Sequence, residues 1–263
     1  MSVADEALYE VHAHVAVVTL NRPAAMNAVN EALSIALGAA MERASADPEV
    51  RVVVLTGSGT RAFCAGMDLK AFARGESAED PAHPEWGFGG FVRHAIDKPV
   101  IAAVNGFALG GGSELVLACD LAIAGRSVML GFPEVTRGLV AAAGGVIRLP
   151  RQIPRKLALE ALLTGQPLSA ERSRELGLIN RVVDDGKVLA SALSLAEIIA
   201  ANAPLAVQAS KRFVREADRF GSDWDDAVWA AHDDAIMPVF ATDDAREGAT
   251  AFAEKRSPQW TGR

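Results

Sequence analysis

Residues 98–120, KPVIAAVNGFALGGGSELVLACD, leave the backbone few options. An apolar strand entered through Pro99 runs into four glycines and then into an apolar helix starting near Ser113. Glycines in that number let backbone approach backbone, or approach a ligand, without interference from Cβ. Gly110, Gly111 and Gly112 directly precede the helix, so their N–H groups lie where the positive end of the helix dipole projects. The segment therefore reads either as an anion site or as tight strand–helix packing. It completes neither the G-x-G-x-x-G dinucleotide pattern, since Leu115 stands at the third glycine, nor a G-x-S-x-G elbow around Ser113.

Upstream, HVAVVTL (14–20) and RVVVLT (51–56) are β-branched runs, and Ala28 to Ala44 between them repeats apolar residues at helical spacing, which predicts a β–α–β unit. LAIA (121–124) and VMLG (128–131) are expected to pair across the turn at Gly125–Ser127. Beyond residue 141 strands largely disappear, and helices are expected at 154–163, 169–176, 188–202, 204–220, 224–240 and 242–256, the last capped by Thr242. The order predicts an α/β core followed by a helical appendage. RGESAEDPAHPEWGFGG (74–90) breaks every period and reads as a lid or as a mobile surface excursion.

Composition narrows the function classes. With 263 residues, half of them hydrophobic, the chain can bury a sizeable core without disulfides or a structural metal. Twenty-six basic against 33 acidic residues, a net charge of −7, disfavour nucleic acid as partner. No stretch reaches the roughly 18 apolar residues of a membrane span, and the acidic N-terminus MSVADEALYE lacks the pattern of a secretory signal. Cys64 and Cys119 in apolar surroundings point to a reducing, cytoplasmic setting. The five histidines are scattered, with no H-E-x-x-H or C-x-x-C, so no metal is expected. His12 and His14 read as one exposed edge.

Two carboxylates stand out. Glu114 is flanked by Gly112 and LVLA, and Glu134 follows Pro133 in a nearly uncharged stretch. Glu114 could be an ordinary first-turn residue stabilised by the helix dipole. Isolated carboxylates in apolar sequence are also what general acid–base chemistry requires, because low polarity lets one hold a proton near neutrality. A third segment, RAFCAGMDLKAF (61–72), places Gly66 at a special backbone angle with Met67 just beyond it, and alone reads as a loop with an amphipathic first turn.

Together, NRPAAMNAVN (21–30), AFCAGMDL (62–69), residues 98–120, GFPEVTRGLVAAAGG (131–145) and LTGQPLSAERSRELGLINRVV (163–183) resemble, in order and spacing, the crotonase or enoyl-CoA hydratase/isomerase family. The resemblance covers nearly the whole chain. It implies an α/β spiral of β-β-α repeats over residues 1–200 and a helical oligomerisation region over 201–263, assembling as a homotrimer or a dimer of trimers. It implies an acyl-CoA thioester substrate and no metal or redox cofactor.

Matched by position, the backbone N–H groups of Met67 and Gly111 would form an oxyanion hole, with Glu114 and Glu134 as catalytic carboxylates. Ala65, Asp68, Leu69 and Lys70, with Met67, would line the CoA path, and Phe252 and Lys255 would reach the nucleotide end, from a neighbouring subunit. Retention of both glutamates favours hydration or dehydration. GGVIRLP, GFGGF and DLKAFARGE look closer to the carnitinyl-CoA dehydratase branch, and Trp86, Phe88 and Phe91 are expected at the acyl end. The competing readings are an enoyl-CoA isomerase, a catalytically silent acyl-CoA-binding oligomer, and an RNA-binding relative.

Overall fold

Residues 5–263 are described by a computed structural model; the first four residues of the acidic N-terminal stretch lie outside the described residues. Strand β1 (Ala7–His12) pairs antiparallel with β2 (Val15–Leu20). Helix α1 (Glu31–Ala46) then crosses over to β3 (Val52–Gly57), which lies parallel to β2 in the register Val15 to Val52. This is the expected β–α–β unit. Asn30 starts α1 by accepting the Leu33 N–H, as a helix N-cap does.

From β3 onward the chain alternates between two sheets. Strand β4 (Ala62–Cys64) leads into the short helix α2 (Leu69–Ala73); β5 (Val100–Val104) and β6 (Phe107–Leu109) lead into α3 (Gly111–Ala118); β7 (Leu121–Gly125) is followed by β8 (Met129–Gly131). The first strand of each step joins the large sheet and the second joins the small one. After α4 (Gly145–Gln152) and α5 (Arg155–Thr164) come β9 (Leu168–Ser169), α6 (Ala170–Glu175) and β10 (Arg181–Val183). The large sheet has the order β1-β2-β3-β5-β7-β10 and the small one β4-β6-β8-β9.

The hairpin expected from 121–131 is therefore absent. Strand β7 is hydrogen-bonded to β5 on one side and β10 on the other, so it has no free edge, and β8 pairs with β6 and β9. The turn between them is a corner: the Ser127 N–H donates to Asp185 Oδ1 at 3.0 Å and the Arg126 N–H to the Val183 carbonyl.

Strand alternation builds two cores. Val52 and Val54 face the alanines of α7 (Val188–Ala200), where Ala192, Ala196 and Ala200 recur every four residues. Val53 and Leu55 point the other way and join Leu33, Leu37 and Met41 of α1. Each large side chain removed from water here contributes roughly 1.5–3 kcal/mol.

The end of the 74–90 segment is packed onto α1, while most of residues 74–85 are exposed. Gly38 of α1 faces the Trp86 ring so closely that a methyl there would sit 2.8 Å from it, and Gly90 leaves no room for a side chain beside the Ser34 carbonyl. The C-terminal helices α8 (Pro204–Ala217), α9 (Asp226–Phe240) and α10 (Asp243–Glu254) follow the expected spans closely. They leave Trp224, Phe240 and Phe252 exposed. Among the described residues no single helix is long and apolar enough to cross a membrane.

Candidate active site

Gly110, with φ +56°, turns the end of β6 into α3, so the helix begins at Gly111 rather than near Ser113. Gly111 and Gly112 thus belong to the first turn, whose N–H groups have no partner inside the helix. Gly112 must be glycine for steric reasons, since a methyl there would collide with the Cys64 carbonyl, whereas one on Gly111 would displace the Phe88 ring. The buried Ser113 hydroxyl fixes this turn to both neighbouring strands. It donates to the Ala108 carbonyl at 2.6 Å and accepts from the Gly131 N–H at 3.1 Å.

The second backbone donor comes from the loop after β4. The Val29 N–H donates to the Gly66 carbonyl at 2.8 Å and the Asp68 N–H to the Val29 carbonyl at 2.8 Å, which clamps Met67 from both sides while leaving its own N–H unused. Gly66 has φ +91°, and a methyl on it would stand 2.7 Å from the Leu109 carbonyl oxygen and 3.1 Å from the Gly111 nitrogen. The two backbone runs therefore touch at this point. Among the described residues neither the Met67 nor the Gly111 N–H has a protein acceptor.

Both N–H groups border one cavity of about 620 Å³, which Glu114 and Glu134 also line. Glu114 is 3% exposed, and its Oε1 accepts the Gly145 N–H at 2.7 Å. Burial pushes its carboxyl up to about 7, assisted by the charge of Glu134, while the Gly145 and Ala143 N–H groups and Arg148 pull the other way. Glu134 sits on a 3-10 turn, Pro133–Arg137, and both of its oxygens are buried without a hydrogen-bond partner among the described residues. Burial raises its pKa, and its own backbone N–H and then Arg137 partly oppose this. Two carboxyls poised toward neutrality beside two free N–H donors can move protons next to a carbonyl whose oxygen gains charge.

Not every expected residue lies here. Ala65, Met67, Leu69 and Gly111 line the cavity. Asp68 does not; its Oδ1 caps α2 by accepting the Lys70 and Ala71 N–H groups at 3.1 and 3.2 Å, and its Oδ2 pairs with Arg22 at 3.1 Å. Lys70 is exposed outside the lining. Phe252, 88% exposed, and Lys255, the C-cap of α10, do not border this chain's own cavity either.

Of the three aromatics expected at the acyl end, only Phe88 borders the cavity. Trp86 is stacked between His83 and His94 at 3.9 and 4.2 Å, and Phe91 is buried in the core. Three residues not expected from the sequence also belong here: Gly145 as the donor to Glu114, and Arg137 and Phe72 in the wall. The paired glycines ending VAAAGG were the available signal for Gly145. Among the described residues no group of three or more His, Cys, Asp or Glu is placed to hold a metal ion.

The family profile described as "Enoyl-CoA hydratase/isomerase" matches residues 10–263. An enoyl-CoA hydratase of Mycobacterium tuberculosis is 40% identical over 262 residues, covering 98% of this chain and 97% of that one. A carnitinyl-CoA dehydratase of Proteus mirabilis is 41% identical over 251 residues, covering 94% of each chain. The crystal structure of an enoyl-CoA hydratase from Mycobacterium marinum superposes with a TM-score of 0.93 at 49% identity, over 98% of this chain and 100% of that one.

Proposed function

Because the chain belongs to the enoyl-CoA hydratase/isomerase family, we propose that its cavity reversibly adds water to trans-2-enoyl-CoA thioesters, giving 3-hydroxyacyl-CoA. The observation that carries this reading is the pair of unused N–H groups, Met67 and Gly111, beside two buried carboxyls. Attack of water at C3 drives negative charge onto the thioester oxygen. The two N–H groups receive that charge where it develops; one such donor is typically worth about 3–4 kcal/mol. Because the folded backbone already holds both donors in place, no reorganisation is needed during the reaction.

Glu114, held by the Gly145 N–H and titrating near 7, takes the proton from the attacking water. Glu134, whose carboxyl is raised by burial against the pull of its own backbone N–H and of Arg137, enters the reaction protonated in this scheme and delivers that proton to C2. The water hydroxyl thus ends on C3 and a proton on C2, and the two carboxyls exchange protonation states. They act as a coupled pair. Coenzyme A would run past Ala65, Met67 and Leu69, with the backbone of Asp68 and the Lys70 side chain beside it. Phe252 and Lys255 of a neighbouring subunit would meet its nucleotide end, where Lys255 suits a polyanion. No cofactor enters the reaction.

A dehydratase acting on a quaternary-ammonium acyl-CoA is the second reading, favoured by the likeness to the Proteus mirabilis protein. The cavity argues for an apolar acyl group. Its aromatic lining is limited to Phe72 and Phe88, Trp86 is engaged elsewhere, and Arg137 adds a positive charge that would repel a cationic tail. Parallel assays with crotonyl-CoA and crotonobetainyl-CoA test this, with faster turnover of crotonyl-CoA expected. Glu134→Gln should lower hydration of crotonyl-CoA by about 10²–10⁴-fold while substrate still binds. Hydration at the parental rate would remove Glu134 from the mechanism.

A further inference from the structure

A second cavity, about 590 Å³, opens between the 91–96 segment, the end of α3, α4 and α8, and its lining shares no residue with the catalytic cavity. Six cationic side chains line it: Arg93, Arg148, Arg151, Lys211, Arg215 and Arg219. Only two carboxylates, Asp120 and Asp218, face them. This local excess runs against a whole-chain charge of −7.

Half of these cations lack a counter-charge. Lys211 is paired with Asp120 at 2.6 Å and donates to the Lys98 carbonyl. Arg219 has a loose contact with Glu216 at 3.7 Å. Arg148 donates to the Val92 carbonyl, a neutral acceptor. Among the described residues the guanidinium groups of Arg93, Arg151 and Arg215 form neither a hydrogen bond nor an ion pair. Burial and the neighbouring Arg215 and Arg151 weigh against the charge on Arg148, and Glu114 partly supports it. Cations gathered in a concave, partly desolvated wall focus positive potential into it, and unpaired charge there is costly unless a partner arrives.

We propose that this cavity binds a small multivalent oxyanion, held mainly by the guanidinium groups of Arg93, Arg148, Arg151 and Arg215. Guanidinium forks match the oxygens of phosphate and carboxylate two at a time, which lysines do not. The spread of donors around the cavity suits an anion with more than one charged group. Polyphosphates and polycarboxylates share this chemistry, and two probes separate them.

The test is calorimetric titration of the full-length protein with pyrophosphate and with citrate at constant ionic strength, with and without saturating coenzyme A. The expected result is one site per chain with sub-millimolar affinity for at least one probe, unchanged by coenzyme A, and weakened at least about tenfold in Arg151→Gln/Arg215→Gln. Arg93→Gln, on a different segment, provides a second variant should the first fold poorly. The proposal is overturned by flat titrations of the parent protein, by variants that bind as the parent does, or by displacement of the probe by coenzyme A, which would place it in the catalytic cavity. It is also overturned if neither probe binds while the double variant alone changes the sedimentation mass; the cavity would then be filled by acidic side chains of a second copy.

Discussion

Glu114 and Glu134 have the same side chain and are held in different ways, one by the Gly145 N–H and the other by no donor from another residue. The raised pKa of Glu114 ties stability to pH. The folded state binds its proton up to about pH 7, whereas an unperturbed carboxyl releases it near 4.5. Unfolding between these values releases a proton, so stability falls as pH rises through the window and levels off above it. Glu114→Gln, which still offers an oxygen to Gly145, should flatten that slope and gain up to about 3 kcal/mol relative to the parent above pH 7. Chemical denaturation at pH 5 and pH 8 measures it; an unchanged slope refutes the assignment. Glu134 contributes in the same direction, so some slope survives. Gly66→Ala is expected to lower turnover by about 10²–10³-fold, because a methyl at φ +91° pushes against Leu109 and the Gly111 nitrogen and spoils the donor pair. Steady-state kinetics on crotonyl-CoA would show it as a loss of kcat. Both carboxylates were legible in the sequence as charges isolated among apolar residues. That one would be hydrogen-bonded and the other not was illegible, because the donor lies 31 residues away from Glu114.

Short elements set the donors in place. Helix α2 has only five residues and depends on its cap, Asp68, whose own N–H helps clamp Met67. Asp68→Ala should cost about 1 kcal/mol from the cap alone and, by loosening Met67, lower kcat more than it raises KM. Asp68→Asn, which keeps a capping oxygen, should recover most of kcat; equal losses in the two variants would count against the positioning role. Elements with a strong period were read correctly: α1, the parallel pair β2 and β3, and the C-terminal helices each carry their own apolar repeat. A short turn joining β7 and β8 suggests one hairpin, yet they lie in different sheets, and the low helix propensity of glycine hides the first two residues of α3. In both cases the deciding bonds come from segments distant in sequence.

At the scale of the molecule, the exposed Phe252 and Lys255 are explained if a neighbouring subunit's cavity receives them. The proposed homotrimer or dimer of trimers should sediment with the mass of three or six chains. Phe252→Ala, exposed here and costing little stability, should raise KM for crotonyl-CoA by roughly tenfold. A monomer of full activity would refute both. The sequence by itself determined the α/β class, the helical C-terminal region, and the segments that supply backbone donors and carboxyls, because periodicity, glycine placement and isolated charge are local properties of a chain. The tertiary structure alone decided which of these face one cavity. Met67 and Gly111 come together only because β4 and β6 are parallel neighbours in the small sheet, while Asp68 and Trp86 were drawn into a helix cap and an aromatic stack. Which groups stay unpaired depends on all their spatial neighbours, and no local window of sequence contains those.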